Sequence, residues 1–212
     1  MSELIAQICE LMQMGKSKDV KALCQQAVDE GIDATKVLEE GLLAGMNVVG
    51  EKFKNNEIFV PEVLIAARAM TKGIEVLKDH LTDDEEAGKG TVILGTVRGD
   101  LHDIGKNLVR MMMEGKGLNV IDIGVDVAPE QFIEAAKENN ASVIACSALL
   151  TTTMDEMANV VNLVKSEGLA DKVKVIVGGA PITQAFADKI GADGYTPDAT
   201  SAAEMALELC TK

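Results

Sequence analysis

The stretch TVILGTVRGDLHDIGKNLVRMMMEGK, Thr91 to Lys116, opens with an unbroken apolar run and passes through a polar loop into an amphipathic helix pattern. A short apolar run bounded by turn residues suits a strand buried on both faces, and such strands belong to parallel sheets. The same texture recurs downstream. NVIDIGV (119–125), SVIACSA (142–148) and KVIVGGA (174–180) are strand-like, and a weaker strand is expected near Asp193–Tyr195. Helix patterns such as PEQFIEAAKENN and TMDEMANVVNLVKSEG separate these runs. The alternation implies βαβ units, a parallel sheet and helices on both of its faces.

Upstream the pattern is different. From Leu4 to about Leu81 the apolar residues keep helical spacing, as in Leu38, Leu42, Gly45, Val49 and Phe53, then Val60, Val63, Leu64, Ala67, Met70, Ile74 and Leu77. About four helices are expected, broken at Gly15-Lys16-Ser17, Gly31-Ile32-Asp33 and Asn55-Asn56, with Pro61 in a first helical turn. The polar, charged and glycine-ended LTDDEEAGKG reads as a linker, giving a helical domain over 1–81, a linker over 82–90 and an α/β domain over 91–212.

Composition narrows the function. Of 212 residues, 47% are hydrophobic but only 2% aromatic, so the core is aliphatic and methionine-rich. The net charge of −14 repels nucleic-acid phosphates and anionic lipid, leaving small molecules or other proteins as expected partners. Cys9, Cys24, Cys146 and Cys210 lie far apart with no C-x-x-C pair, which suits a reducing cytoplasmic setting and argues against a structural zinc or iron–sulfur site. The start MSELIAQICELMQMGKSK carries an early acid and helical apolar spacing, unlike a signal peptide or a membrane span.

The loop GDLHDIGKN, Gly99 to Asn107, sits where the first strand of the sheet ends, which is where such sheets bind ligands. It is a poor phosphate loop, since five residues separate Gly99 from Gly105 and Asn107 stands where a hydroxyl is needed. Two readings stay open on the residues alone. In one, Asp103 caps the helix beginning near Ile104 and His102 is a polar loop residue. In the other, His102 is a metal ligand whose second ring nitrogen is held by Asp100. SALLTTT and GGA after the third and fourth strands favour the second, because small residues at successive strand ends leave an open trench. A single histidine does not hold a free transition metal, but it can hold one already caged in a macrocycle.

Asp100-x-His102-x-x-Gly105, Ser147-x-Leu149 and Gly178-Gly179, together with GEKFKNNEIFVPEVLIAARAM (Gly50 to Met70), resemble the cobalamin-binding region of methionine synthase and the small corrinoid proteins of methyltransferase systems. The match covers essentially the whole chain. It implies an α + α/β fold, with an N-terminal four-helix cap bundle followed by a Rossmann-like (flavodoxin-like) five-stranded domain. It implies cobalamin or a related corrinoid bound base-off, with His102 as the lower axial ligand of cobalt and Asp100 bonded to its imidazole. The nucleotide tail would enter beside Asp103, Ile104, Gly105, Ser147, Leu149, Gly178 and Gly179, and Tyr195 to Ala199 would close the far end of that cleft. Thr153 stands where methionine synthase has a serine on the Asp–His pair. Phe53 and Val60 would cover the upper corrin face, although Phe53 and Phe59 also read as ordinary core residues of the bundle.

The family's cobalt alternates between low-valent Co(I) or Co(II) and methylcobalamin states. The implied role is a methyl carrier, not a stand-alone enzyme. It would serve a substrate-specific methyltransferase, an acceptor methyltransferase using tetrahydrofolate or a thiol, and a reductive activation protein. Methanol, methylamines, glycine betaine and methoxylated aromatics are all open as donors. An adenosylcobalamin-dependent isomerase subunit shares the D-x-H-x-x-G motif but normally lacks the helical cap, and a cobalamin-binding sensor would need an effector segment.

Overall fold

The structure, a computed structural model, describes residues 2–81 and 88–211. The chain divides into two compact units, Met1–Gly88 with Gly115–Gly117, and Lys89–Glu114 with Leu118–Lys212. Most of the expected linker, residues 82–87, lies outside the described residues.

The helical periodicity of the first unit resolves into α1 (Glu3–Gln13), α2 (Ser17–Asp29), α3 (34–54) and α4 (Val60–Leu77). The breaks fall where the turn residues stand. Gly31 after α2 and Asn56 after α3 take the left-handed conformation, at φ 73° and 59°. Pro61 lies in the first turn of α4, and the Phe59 N–H donates to Glu62 Oε2 at 3.1 Å. Ile5, Ile8, Met12, Leu42, Met46, Val63, Met70 and Leu77 form the buried core of the bundle. Within α3 the segment Val37–Leu43 is π-helical, which the apolar spacing does not reveal. Close packing explains the glycine that follows. A Cβ on Gly45 would stand 2.5 Å from Met12 Cε and 3.0 Å from the Cys9 carbonyl oxygen, so α1 and α3 approach only because none is there.

The second unit is a parallel sheet of β1 (Thr91–Thr96), β2 (Asn119–Asp122), β3 (Val143–Ser147), β4 (Lys174–Gly178) and β5 (Gly194–Tyr195), in the order β2-β1-β3-β4-β5. The helices are α5 (Ile104–Gly115), α6 (Pro129–Glu138), α7 (Met154–Ser166), α8 (Gln184–Ile190) and α9 (Ala199–Cys210). Alternate strand residues face opposite ways. Ile93, Ile144 and Val175 pack with Phe132, Val160 and Val164 from α6 and α7. Leu94, Ala145 and Ile176 face a cavity shared with Met113 of α5 and Ala199 and Ala202 of α9. Both sheet faces are therefore covered, and the weak fifth strand is present as a short edge. Met112 and Met113 of α5 are buried.

The order reverses between β1 and β3, which makes the crevice at their carboxyl ends the switch point of the sheet. No helix among the described residues is long and apolar enough to cross a membrane.

Phe132 is wholly buried against the centre of the sheet. Phe132→Ala should cost about 3–5 kcal/mol of unfolding free energy in the apo-protein. Urea denaturation checks this, and a loss under 1 kcal/mol would mean that the ring does not organise this layer.

Candidate functional site

At the switch point lies a carboxylate with no exposure to solvent, that of Asp100. The loop after β1 turns back on itself, so Asp100 Oδ1 accepts the His102 N–H at 3.0 Å and lies 2.7 Å from His102 Nδ1. Asp100 Oδ2 faces the loop after β3 and accepts the Leu149 and Leu150 N–H groups at 2.7 and 3.1 Å. Burial pushes the Asp100 carboxyl up, but the His102 and Leu149 amides, the His102 ring and the Leu150 amide outweigh it and hold the group well below the usual carboxylate range. Asp100 is therefore an anion and can only accept. The proton between it and the imidazole belongs to His102 Nδ1, so in the neutral ring the lone pair is on Nε2.

The His102 side chain is 52% exposed, and with Nδ1 held by Asp100 the nitrogen left for a ligand is Nε2. Its main chain is fixed as well, because the buried Thr96 hydroxyl donates to the His102 carbonyl at 2.8 Å. Apolar side chains stand uncovered around it. Leu101 and Ile104 are 72% and 77% exposed, with Leu149, Leu150 and Val125 also open. Five large apolar groups at one end of a sheet form a surface suited to a flat, largely apolar molecule. Among the described residues no three His, Cys, Asp or Glu side chains gather to hold a bare metal ion.

Beside this end of the sheet a cavity of about 300 Å³ runs between the strands, α5 and α9, lined by Gly105, Ser147, Gly178, Gly179 and the segment 196–199. Gly105 has open space where a Cβ would be. Gly179 is at φ 134°, and a Cβ there would overlap the Ala148 carbonyl, so only glycine keeps the two loops this close.

The structure thus brings Asp100, His102, Ile104, Gly105, Ser147, Leu149, Gly178 and Gly179 together at one end of the sheet. Asp103 is exposed, and its carboxylate accepts from Asn107 Nδ2 at 3.2 Å. The Thr153 hydroxyl lies 2.9 Å from the Leu150 carbonyl and 3.3 Å from Asp100 Oδ2, so its one proton has a nearer acceptor than the carboxylate. Phe53 and Val60 belong to the helical unit, where each is half-buried. Phe59 is 65% exposed, which removes it from the core of the bundle. Sequence reasoning missed Thr96 and the Leu150 amide. A hydroxyl inside an otherwise apolar strand was the available signal for Thr96.

A clamped histidine with one free nitrogen, an apolar rim and a trench of small residues together fit a macrocyclic metal cofactor with a tail. Two family models, each described as a B12 binding domain, match residues 90–204 and 4–78. The chain belongs to the B12-binding corrinoid proteins. It is 47% identical to a dimethylamine corrinoid protein of Methanosarcina barkeri, over 98% of this chain and 97% of that one. Its fold matches the methanol:cobalamin methyltransferase complex of Methanosarcina barkeri with a TM-score of 0.89 and 32% identity, covering 99% of this chain and 80% of that chain. A cobalamin-binding protein of Desulfitobacterium hafniense matches at a TM-score of 0.80 and 29% identity, over 97% and 98% of the two chains. The cofactor is thus cobalamin or a related corrinoid, and the residues present fit it. His102 offers one nitrogen donor, and the open cradle at Gly105 has room for a tail.

The depressed Asp100 carboxyl makes a pH prediction for the apo-protein. Its folded value lies below the unfolded one of about 4, so its contribution to stability is complete above that pH and fades as the solution becomes more acid. Asp100→Asn should therefore be less stable than the parent at neutral pH, with the gap closing below about pH 4. Thermal melts across pH check this, and parallel curves for the two proteins would show that the carboxylate is not held as an anion.

Proposed function

We propose that this corrinoid protein is a methyl carrier, with His102 as the protein ligand to cobalt of a corrinoid bound base-off. The observation that carries the reading is a half-exposed His102 ring whose Nδ1 is clamped by the buried anion of Asp100, which leaves Nε2 for a ligand. When bound, the corrinoid supplies a cobalt centre able to accept a methyl group and give it up.

The chain's own residues hold and shield that centre. Asp100 fixes the tautomer of His102, and a carboxylate partner raises the basicity of the imidazole as a ligand. The trench at Gly105, Ser147, Gly178 and Gly179 receives the tail that the histidine displaces. The helical domain 1–81, joined through 82–90 to the α/β domain 91–212, acts as the cap, and by the family resemblance Phe53 and Val60 exclude water from the upper face. The partners are a substrate-specific methyltransferase, an acceptor methyltransferase with tetrahydrofolate or a thiol, and a reductive activation protein. A methylamine is the favoured donor, because the dimethylamine corrinoid relative matches along nearly its whole length. Relatives alike over both halves favour a carrier over an isomerase subunit.

The deciding experiment is electron paramagnetic resonance of the Co(II) form after reconstitution with cobalamin. The parent should show superhyperfine splitting from one protein nitrogen, and His102→Ala should lose it while keeping the fold and most of the cofactor affinity. A splitting that survives His102→Ala would remove His102 from the coordination sphere.

The cap is tested separately. On protein reconstituted with methylcobalamin, Phe53→Ala should leave axial coordination intact and shorten the lifetime of the cofactor under light. Photolysis as slow as in the parent would return Phe53 to an ordinary packing role.

A further inference from the structure

We propose that Asp126 is a positioning residue for His102, setting the axial ligand from the neighbouring loop after β2. This rests on His102 being the cobalt ligand. The Gly99 N–H donates to Asp126 Oδ1 at 2.7 Å, and the Asp126 N–H donates back to the Asp100 carbonyl at 3.0 Å. One residue, 26 positions beyond Asp100, therefore grips the main chain just before and just after the Gly99–Asp100 peptide, at the residue that holds the histidine.

The grip is itself anchored. The loop after β2 is tied to the end of β1 by the Thr96 N–H to the Gly124 carbonyl and the Val127 N–H to the Thr96 carbonyl, both at 3.0 Å. At its base Asp122 Oδ1 accepts the Gly124 N–H at 2.9 Å, while Asp122 Oδ2 is paired with the buried ammonium of Lys106. Lys106 lies in the first turn of α5, four residues after His102. The chain thus forms a closed circuit, from His102 through Lys106, Asp122 and Asp126 back to Asp100. The histidine loop is fixed at its entry by Asp126 and at its exit by Lys106–Asp122.

Asp126 adopts φ 55°, the left-handed region that aspartate tolerates better than most residues other than glycine and asparagine. Its side chain is exposed and lines neither the cavity nor the apolar rim. Burial therefore does not account for it. What it does provide is an acceptor for the Gly99 N–H at the start of the ligand loop. With that bond gone, Gly99, at φ 81°, has no side chain to limit its alternatives. The Asp100–His102 pair would then sample orientations in which Nε2 is misdirected.

The test separates the hydrogen bond from the backbone conformation. Asp126→Gly keeps φ 55° accessible and removes the acceptor, whereas Asp126→Asn keeps an amide oxygen in its place. Each variant is reconstituted with cobalamin. The strength of histidine ligation is read as the cyanide concentration that displaces the lower nitrogen from the Co(III) form, seen as the shift to the dicyano absorption spectrum. Loss of a charge-assisted bond should lower that concentration about tenfold in Asp126→Gly, with Asp126→Asn within about threefold of the parent. Cofactor affinity, measured by titration, should change less than ligation does.

A parent-like cyanide midpoint in Asp126→Gly overturns the proposal, and so does equal weakening in both variants. If the parent itself shows no protein nitrogen in the Co(II) spectrum, the histidine-ligand reading fails, and this inference falls with it. If the parent shows that nitrogen and Asp126→Gly matches it in both readouts, only this inference falls.

Discussion

A buried carboxylate is tolerable in a protein only when its charge is met by donors on every side, and the loop after β1 is arranged around meeting that of Asp100. Oδ1 takes two groups from His102 and Oδ2 takes two backbone amides from the loop after β3. The first of the Oδ2 donors lies 49 residues along the chain from Asp100, brought beside it because β1 and β3 are adjacent in the sheet. The parallel register, Gly95 beside Cys146 and Thr96 beside Ser147, ends both strands at the same level. The anion sits where those two strand ends meet and binds their loops together.

That anion sets the chemistry of its neighbour. An ionised acceptor at 2.7 Å requires an imidazole proton on Nδ1, so the neutral ring has its lone pair on the other nitrogen. One half of the ring is structural and the other available. The Thr96 hydroxyl fixes the main chain of the same residue, so neither the backbone nor the tautomer is left to chance. Glycines and small side chains take over at the neighbouring strand ends, where bulk would fill the cavity beside the sheet. Polar precision at β1 and open volume at β3 and β4 thus share one edge of the sheet.

The sheet was legible because its strands are nearly pure apolar runs bounded by turn residues, a pattern that survives without any knowledge of packing. The helices of the first unit were legible for a similar reason. The π-helical turn was not, since Leu38, Leu42 and Gly45 keep ordinary helical spacing straight through it. His102 and Asp100 stand out in the sequence because their residue types already suggest ligand chemistry. The other contributors do not. The Leu149 and Leu150 amides act through the main chain and carry no side-chain signature at all. Asp126 reads as one more acid in a strongly acidic chain, and only the φ angle and the Gly99 bond distinguish it. Phe59 misleads in the opposite direction, because an aromatic residue in an apolar stretch suggests burial and this one is exposed.

The two oxygens of Asp100 carry separable duties. The bonds to Oδ2 come from amides in the loop after β3 and do not depend on where the imidazole points. On Oδ1 the His102 N–H is a main-chain donor, held while Thr96 keeps the carbonyl of the same residue in place. If the imidazole turns away, Asp100 gives up one donor of four and keeps three backbone amides. A buried anion with three amides remains well solvated by the protein, so the carboxylate need neither protonate nor move. The pair is therefore asymmetric. Its carboxylate belongs to the rigid edge of the sheet, while the ring has one strong bond to lose and half its surface in solvent. A ring of that kind can be engaged or let go without unmaking the site.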